Sequence, residues 1–296
     1  YEDCATYAAK IDGRPASEWA MDKDVMVESH QDVTSERVYG AVKKWLDARP
    51  AKPFFLFAHF FDVHFDFTPP PPYDKKFDPT YEGWVDGKDF LFSDDYAKDM
   101  PSRDFQHLLA LYDGEIAWTD SFIGRIRADL EKAGILDDTV IVITSDHGTE
   151  FFEHDDKGHR KTLWDEVIKT PLVIRYPKKL PSGKRSNELS RGIDVGPTLL
   201  ELAGFPAPTD VFGTSLMPLL KKPDAHVIGR AVSELASVGH NLRIVRTLKW
   251  MLLDKIGTPE HWYFDLQRDE REMVPLSTFN TELGKRAEAG YQEEID

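Results

Sequence analysis

Cysteine is almost absent: the 296 residues include one, Cys4. An intrachain disulfide is therefore excluded, and so is a zinc site built on cysteines. Long apolar runs are missing too, none approaching the roughly 20 residues that a membrane-spanning helix needs. Positive charge is in deficit, with 37 Lys and Arg against 52 Asp and Glu, a formal net charge of −15. That balance disfavours a nucleic-acid backbone as partner, although a local basic pocket is compatible with it. No initiator Met, basic segment or apolar leader stands at the start, which is Tyr1. The expectation is that a leader has been removed or that the sequence begins partway through a longer product. The compartment stays unassigned, with periplasmic and secreted settings both open.

What is present is the composition of a globular protein, 41% hydrophobic and 30% charged, in a chain long enough for a real core. Residues 1–30 are polar and weakly patterned, and read as loop with at most a short helix. Val33, Val38, Val42, Trp45 and Leu46 are close to helical spacing, ended by Arg49-Pro50. The run Pro53 to Phe61 is continuously apolar, which predicts a strand in the middle of a helix-covered sheet. It leads into Asp62-Val63-His64 and a turn at Pro69 to Pro72. Residues 73–103 form a polar, aromatic-dotted insertion. A long helix is predicted over 104–133, with Leu108, Leu111, Ile116, Phe122, Ile123, Ile126 and Leu130 near one face and Gly134 as its stop. Thr139 to Thr144 reads as a second buried strand, running into Ser145-Asp146-His147-Gly148.

Leu172 to Ile174 reads as a further strand, and 194–203 as a helix. After about residue 225 the texture changes to short alternating segments, Leu242 to Val245, Trp250 to Leu253 and Trp262 to Phe264. The expected fold class is α/β, a mostly parallel central sheet flanked by helices with a small C-terminal antiparallel subdomain. The predicted division is a main domain over residues 1–222 and the subdomain over residues 223–296.

In such sheets ligands bind beyond the carboxyl ends of the strands, where both Asp62-His64 and Asp146-His147 are expected. Adjacent carboxylate and imidazole can meet one cation only where the backbone turns sharply, and Gly148 supports such a turn. The bland alternative is a strand-end aspartate capping the next helix, with a surface histidine beside it. A second cluster runs from Glu150 through Glu153, His154, Asp155, Asp156, Lys157, His159, Arg160 and Lys161. Alone it would be a solvated loop; directly after Asp146-His147, its imidazoles and cations could hold a dianionic ester. Convergent metal-binding and basic groups suit hydrolysis of phosphate or sulfate esters, whose transition states gain negative charge. Trp118, Phe122 and Trp164 read as packing residues.

These motifs, in this order, resemble those of the sulfatases of the alkaline phosphatase-like superfamily. The resemblance rests on the apolar run into Asp62-Val63-His64, Tyr112-Asp113-Gly114-Glu115-Ile116 and Thr119-Asp120. It continues through Thr144-Ser145-Asp146-His147-Gly148, Glu153-His154, Gly158-His159 and Thr162-Leu163-Trp164-Asp165-Glu166. It ends on Thr170-Pro171-Leu172-Val173-Ile174-Arg175 and Asp194-Val195-Gly196-Pro197-Thr198-Leu199-Leu200.

The resemblance implies a metal-dependent hydrolase of sulfuric esters. Asp146 and His147 would be metal ligands, usually for calcium, with manganese or zinc as alternatives. His64 would contact the sulfate group, and His159, or Lys157 or Lys161 beside it, would serve the leaving oxygen. His154 and Lys157 join His64 as substrate-binding candidates. Val63 stands where the family usually has Pro, and Thr149 where it often has Glu.

Family members also begin with a strand bearing an Asp-Asp pair, followed by a Cys or Ser converted to formylglycine, the hydrated aldehyde nucleophile. Neither element is matched here, since Cys4 is followed by Ala5-Thr6-Tyr7-Ala8. The expectation is the C-terminal two-thirds of a sulfatase, inactive alone. An upstream segment or partner chain would complete the site for a sulfated small molecule or glycan. The alternatives are a phosphate or phosphonate ester hydrolase of the same superfamily and a non-catalytic subunit binding an anionic glycan.

Overall fold

A ladder of backbone hydrogen bonds, more than apolarity, decides which predicted strands exist. The computed structural model describes residues 34–49, 53–206, 208, 210–237 and 240–276. The reading of residues 1–30, Cys4 and Val33 lies outside them. Contacts divide the chain into two units, Tyr1–Leu136 and Asp137–Asp296. The sequence-based boundary at 222/223 falls inside the second.

The first unit is built on two helices, α1 (Ser35–Asp47) and α2 (Ser102–Lys132), which pack together. Along α2, Leu108, Leu111, Glu115, Thr119 and Phe122 recur at steps of three and four and are all buried. Ile116 points away from that face and is 44% exposed, so the predicted stripe is rotated by about one position. Gly134, at φ 70°, ends the helix in the left-handed conformation a glycine adopts without cost. There Gly134 donates to the Glu131 carbonyl and Ile135 to that of Leu130. The insertion over 73–103 lacks long elements but is packed. Phe67 and Phe90 are fully buried with ring centroids 5.1 Å apart, and Phe67 meets Tyr112 edge-on at 5.3 Å.

The strand expected over Pro53 to Phe61 is corrected. This stretch has no ladder partner among the described residues, and Phe55 and Phe57 are 80% and 73% exposed. Apolar residues favour a strand only where a neighbour takes up the backbone groups.

The second unit begins with β1 (Ile141–Thr144), followed by a short hairpin, β2 (Glu150–Phe151) and β3 (Lys157–Gly158). A one-turn helix, α3 (Asp165–Ile168), precedes β4 (Leu172–Arg175). β1 pairs with β4 antiparallel, Ile141 opposite Arg175 and Thr144 opposite Leu172. Parallel pairing, expected for the central sheet, is therefore not found in the described ladders. The chain between these strands folds into a hairpin and one helical turn, without the crossover helix that commonly brings a strand back parallel. Helices α4 (Val195–Ala203) and α5 (Met217–Lys221) follow.

The C-terminal sheet has four antiparallel strands in sequential order, β5 (Ala231–Ser237), β6 (His240–Arg246), β7 (Trp250–Lys255) and β8 (His261–Asp265). Three were expected; β5 was not, because its sequence carries few large apolar residues. Alternation buries both faces. Ile244, Met251, Leu253 and Phe264 form one core cluster with Leu163, while Val245, Leu252 and Tyr263 form another. Among the described residues no helix is long and apolar enough to cross a membrane.

Candidate active site

Gly148 fixes the turn after β1. A Cβ there would lie 2.1 Å from the Glu166 carbonyl oxygen, so only glycine allows this approach, and its N–H donates to the Val167 carbonyl at 2.7 Å. The turn leaves Asp146 with a 75% exposed side chain. His147 donates its backbone N–H to Asp146 Oδ1 at 3.0 Å, and its ring Nδ1 lies 2.9 Å from the Gly148 carbonyl. With Nδ1 so engaged, Nε2 lies 3.6 Å from Asp146 Oδ2. The ring of His159 packs on that of His147 at 4.0 Å between centroids. Asp146, His147 and His159, three residues singled out from sequence, are thus brought together.

The hairpin carrying the charged cluster is organised from within by Glu150, which is 1% exposed. Its carboxylate accepts hydrogen bonds from the backbone N–H groups of His154 (3.3 Å) and Asp156 (3.2 Å) and from the Thr162 hydroxyl (2.8 Å). Burial raises its pKa, and these hydrogen bonds oppose the rise. Lys161 Nζ is bound to Asp156 Oδ1 at 2.7 Å. Lys157, in β3, is half-buried. His154 is 7% exposed and stacks on Trp164 at 4.1 Å, with Nε2 3.6 Å from Glu166 Oε2. The cluster is therefore not uniformly solvated: Glu150 and His154 are interior, whereas Lys161 stays 41% exposed.

His64 lies in the first unit. Its Nδ1 is 2.8 Å from the Phe65 carbonyl, and its ring packs against Phe61 and Phe65 at 4.7 and 4.1 Å. Val63, at φ 62°, occupies the left-handed region that a β-branched residue enters at a cost. Asp62 is engaged elsewhere. Its Oδ1 accepts from the Thr34 N–H at 2.7 Å and its Oδ2 from the Ser35 N–H at 2.6 Å, at the start of α1. Thr34 Oγ1 adds a third bond at 3.1 Å. Glu115 accepts from the Thr68 N–H at 2.8 Å, and its other oxygen is buried with no hydrogen-bond partner among the described residues. Burial first, then the nearby Asp62 and Asp66, push its pKa up to about 8. Sequence reasoning missed Asp62 as a cap and Glu115 as a buried acid. The second was legible in principle, since Glu115 falls on the apolar stripe of α2.

A divalent cation can be tested against this donor set. Oxygen ligands of calcium lie at about 2.3–2.6 Å, which places two neighbouring ligands about 3.3–3.7 Å apart. The 3.6 Å gap between Asp146 Oδ2 and His147 Nε2 fits that spacing. Two donors are only part of a sphere, and among the described residues no three His, Cys, Asp or Glu side chains cluster to complete one.

Comparison with known proteins follows the same lines. The family described as sulfatase matches residues 3–205, and that described as the C-terminal part of N-sulphoglucosamine sulphohydrolase matches residues 153–282. The N-acetylglucosamine-6-O-sulfatase of Bacteroides thetaiotaomicron is 30% identical over 212 residues, covering 67% of this chain and 36% of that protein. Arylsulfatase K of Danio rerio is 29% identical over 185 residues, 60% of this chain and 35% of that protein. The chain thus spans about a third of the length of these relatives.

Among solved structures, one in complex with its substrate D-glucosamine-2-N,6-O-disulfate superposes with a TM-score of 0.71 at 23% identity, over 88% of this chain and 67% of that one. The phosphonate monoester hydrolase of Agrobacterium radiobacter gives 0.73 at 24%, over 88% and 59%. These likenesses show that the chain shares the α/β fold of those two structures. With more than half its length matched by the family pattern, the chain belongs to the sulfatase family.

Proposed function

We propose that this chain carries part of the active site of a metal-dependent hydrolase of sulfuric esters, acting on a sulfated sugar. The observation that carries the reading is the Asp146–His147 pair. It is an exposed carboxylate and an imidazole nitrogen 3.6 Å apart, with the His159 ring packed against that of His147. The sulfated-sugar class is supported by the relative named for N-acetylglucosamine 6-O-sulfate and by the neighbour bound to a disulfated glucosamine.

Asp146 and His147 would hold the cation, calcium before manganese or zinc, which when bound neutralises sulfate oxygens. His64 orients the sulfate group. His159, with Lys161 on the same loop, hands a proton to the departing alkoxide, a transfer that avoids expelling a strong base. Lys157 contributes positive charge toward the ester. His154 was expected to bind substrate; its burial against Trp164 suits it better to holding the loop. Further metal ligands and a formylglycine nucleophile, which none of these residues supplies, would complete the site. The four strands between residues 231 and 265 would form the appended antiparallel subdomain.

The test uses protein purified from its natural source, assayed with p-nitrophenyl sulfate and p-nitrophenyl phosphate, with and without a chelator. The expected outcome is chelator-sensitive sulfate release that exceeds phosphate release. Preferential hydrolysis of the phosphate would favour the phosphate-ester alternative, and metal-dependent binding without turnover would favour a glycan-binding subunit; either result overturns the reading.

A further inference from the structure

The segment Trp164–Ile168 touches the candidate site on one side and the C-terminal sheet on the other. Toward the site, the Glu166 and Val167 carbonyls press on Gly148, and Trp164 stacks on His154. Toward the sheet, Trp164 meets Phe264 of β8 edge-on at 5.6 Å. Beside that contact lies a buried ionic cluster. Arg246, at the end of β6, grips Asp165 with both Nη atoms, at 2.8 and 2.9 Å. Arg246 also pairs with Glu272, which is 2% exposed, and Glu272 Oε2 accepts the Asp165 N–H at 3.2 Å. Two carboxylates and one guanidinium therefore meet on the first residue of α3, one position before the carbonyl that abuts Gly148.

A buried ion cluster is a weak source of net stability, because desolvation offsets most of the attraction. What it supplies is direction: a bidentate guanidinium fixes both the position and the plane of its carboxylate. We infer that Arg246 and Glu272 are positioning residues through which the C-terminal sheet sets the turn bearing Asp146 and His147, by way of Asp165 and the Glu166–Val167 carbonyls. The inference rests on the proposed metal role of that pair for its functional meaning, but not for its mechanics. Burial and the neighbouring Asp165 carboxylate push the Glu272 pKa up to about 7 against the pull of Arg246, consistent with a tightly enclosed cluster.

The test compares Arg246→Met, Arg246→Lys and Glu272→Gln in the full-length protein. Two readouts are taken: amide hydrogen exchange of the peptide containing Gly148, and calcium affinity by competition with a chelating dye. In Arg246→Met, exchange at Gly148 is expected to accelerate and calcium affinity to fall about tenfold, as for other groups that orient metal ligands from behind. Arg246→Lys should recover part of both. If Arg246→Met melts lower yet leaves Gly148 exchange and calcium affinity at wild-type values, the cluster is structural only and the inference fails. If that variant does not fold, Glu272→Gln decides by the same two readouts. Wild-type protein that binds no calcium would defeat the metal reading alone, and the exchange at Gly148 would still decide the positioning claim.

Discussion

Asp62 and Asp146 look alike in sequence. Each follows an apolar run, each has a histidine one or two residues on, and each lies where a ligand-bearing aspartate would be expected. Their surroundings differ completely. Asp62 gives both oxygens to the backbone N–H groups that open α1, so it is an N-cap delivered from 27 residues away. Among the described residues Asp146 accepts only the N–H of its own neighbour, and it remains 75% exposed. Metal binding requires lone pairs not already committed, so one aspartate is structural and the other is available. A capping role like the one weighed for Asp146 is played by Asp62, toward a helix that precedes it in the chain.

The largest expected effect separates the two. Asp62→Ala removes three hydrogen bonds to a carboxylate and leaves the start of α1 uncapped, so it should cost about 3 kcal/mol. Chemical denaturation would measure this. A loss below about 0.5 kcal/mol, the range of ordinary surface substitutions, would mean that the cap contributes little and that the contrast is overdrawn.

The next effect concerns what stands behind the His64 turn. Glu115 holds the Thr68 N–H, and its pKa is pushed up to about 8 from an ordinary 4.5. Between those values the folded state keeps a proton that the unfolded chain has released. Stability is therefore full below about pH 4.5 and is lost as pH rises through about 8. The loss accrues at about 1.4 kcal/mol for each pH unit across that window. Glu115→Gln keeps an oxygen for Thr68 and removes the ionisation, so its stability should vary less with pH across that window. Melting curves from pH 5 to pH 9 check this; equal slopes in wild type and variant would rule out Glu115 as the source.

These two carboxylates also show what a sequence can reveal. Helices α1, α2 and α4 and three of the four C-terminal strands follow from periodicity, because each buries a face that its own spacing defines, whereas β1 and β4 were legible only as short apolar runs. The Asp146–His147 turn and its neighbour His159 were legible because residue type and a required glycine coincide. The cap formed by Asp62 depends on Thr34 and Ser35, and the bond from Thr68 to Glu115 spans 47 residues. The link between Arg246 and Asp165 spans 81. No local pattern encodes such partners. The same limit explains the run Pro53 to Phe61: its apolarity is local, but the ladder that would make it a strand is not.

The smallest effect on stability is the sharpest test of availability. Among the described residues Asp146 makes one hydrogen bond, accepting an adjacent N–H that Asn can equally satisfy through its carbonyl oxygen. Asp146→Asn should therefore change folding stability in the absence of metal by no more than about 0.5 kcal/mol. If the carboxylate is a cation ligand, its removal should still abolish calcium-induced stabilisation in the full-length protein, since bound ligand raises stability in proportion to its affinity for the native state. Melting with and without calcium measures both quantities in one experiment. A variant destabilised in chelator would place Asp146 with Asp62 as a structural group. A variant that keeps its calcium response would take Asp146 out of the metal site, and the comparison between the two aspartates would lose its functional meaning.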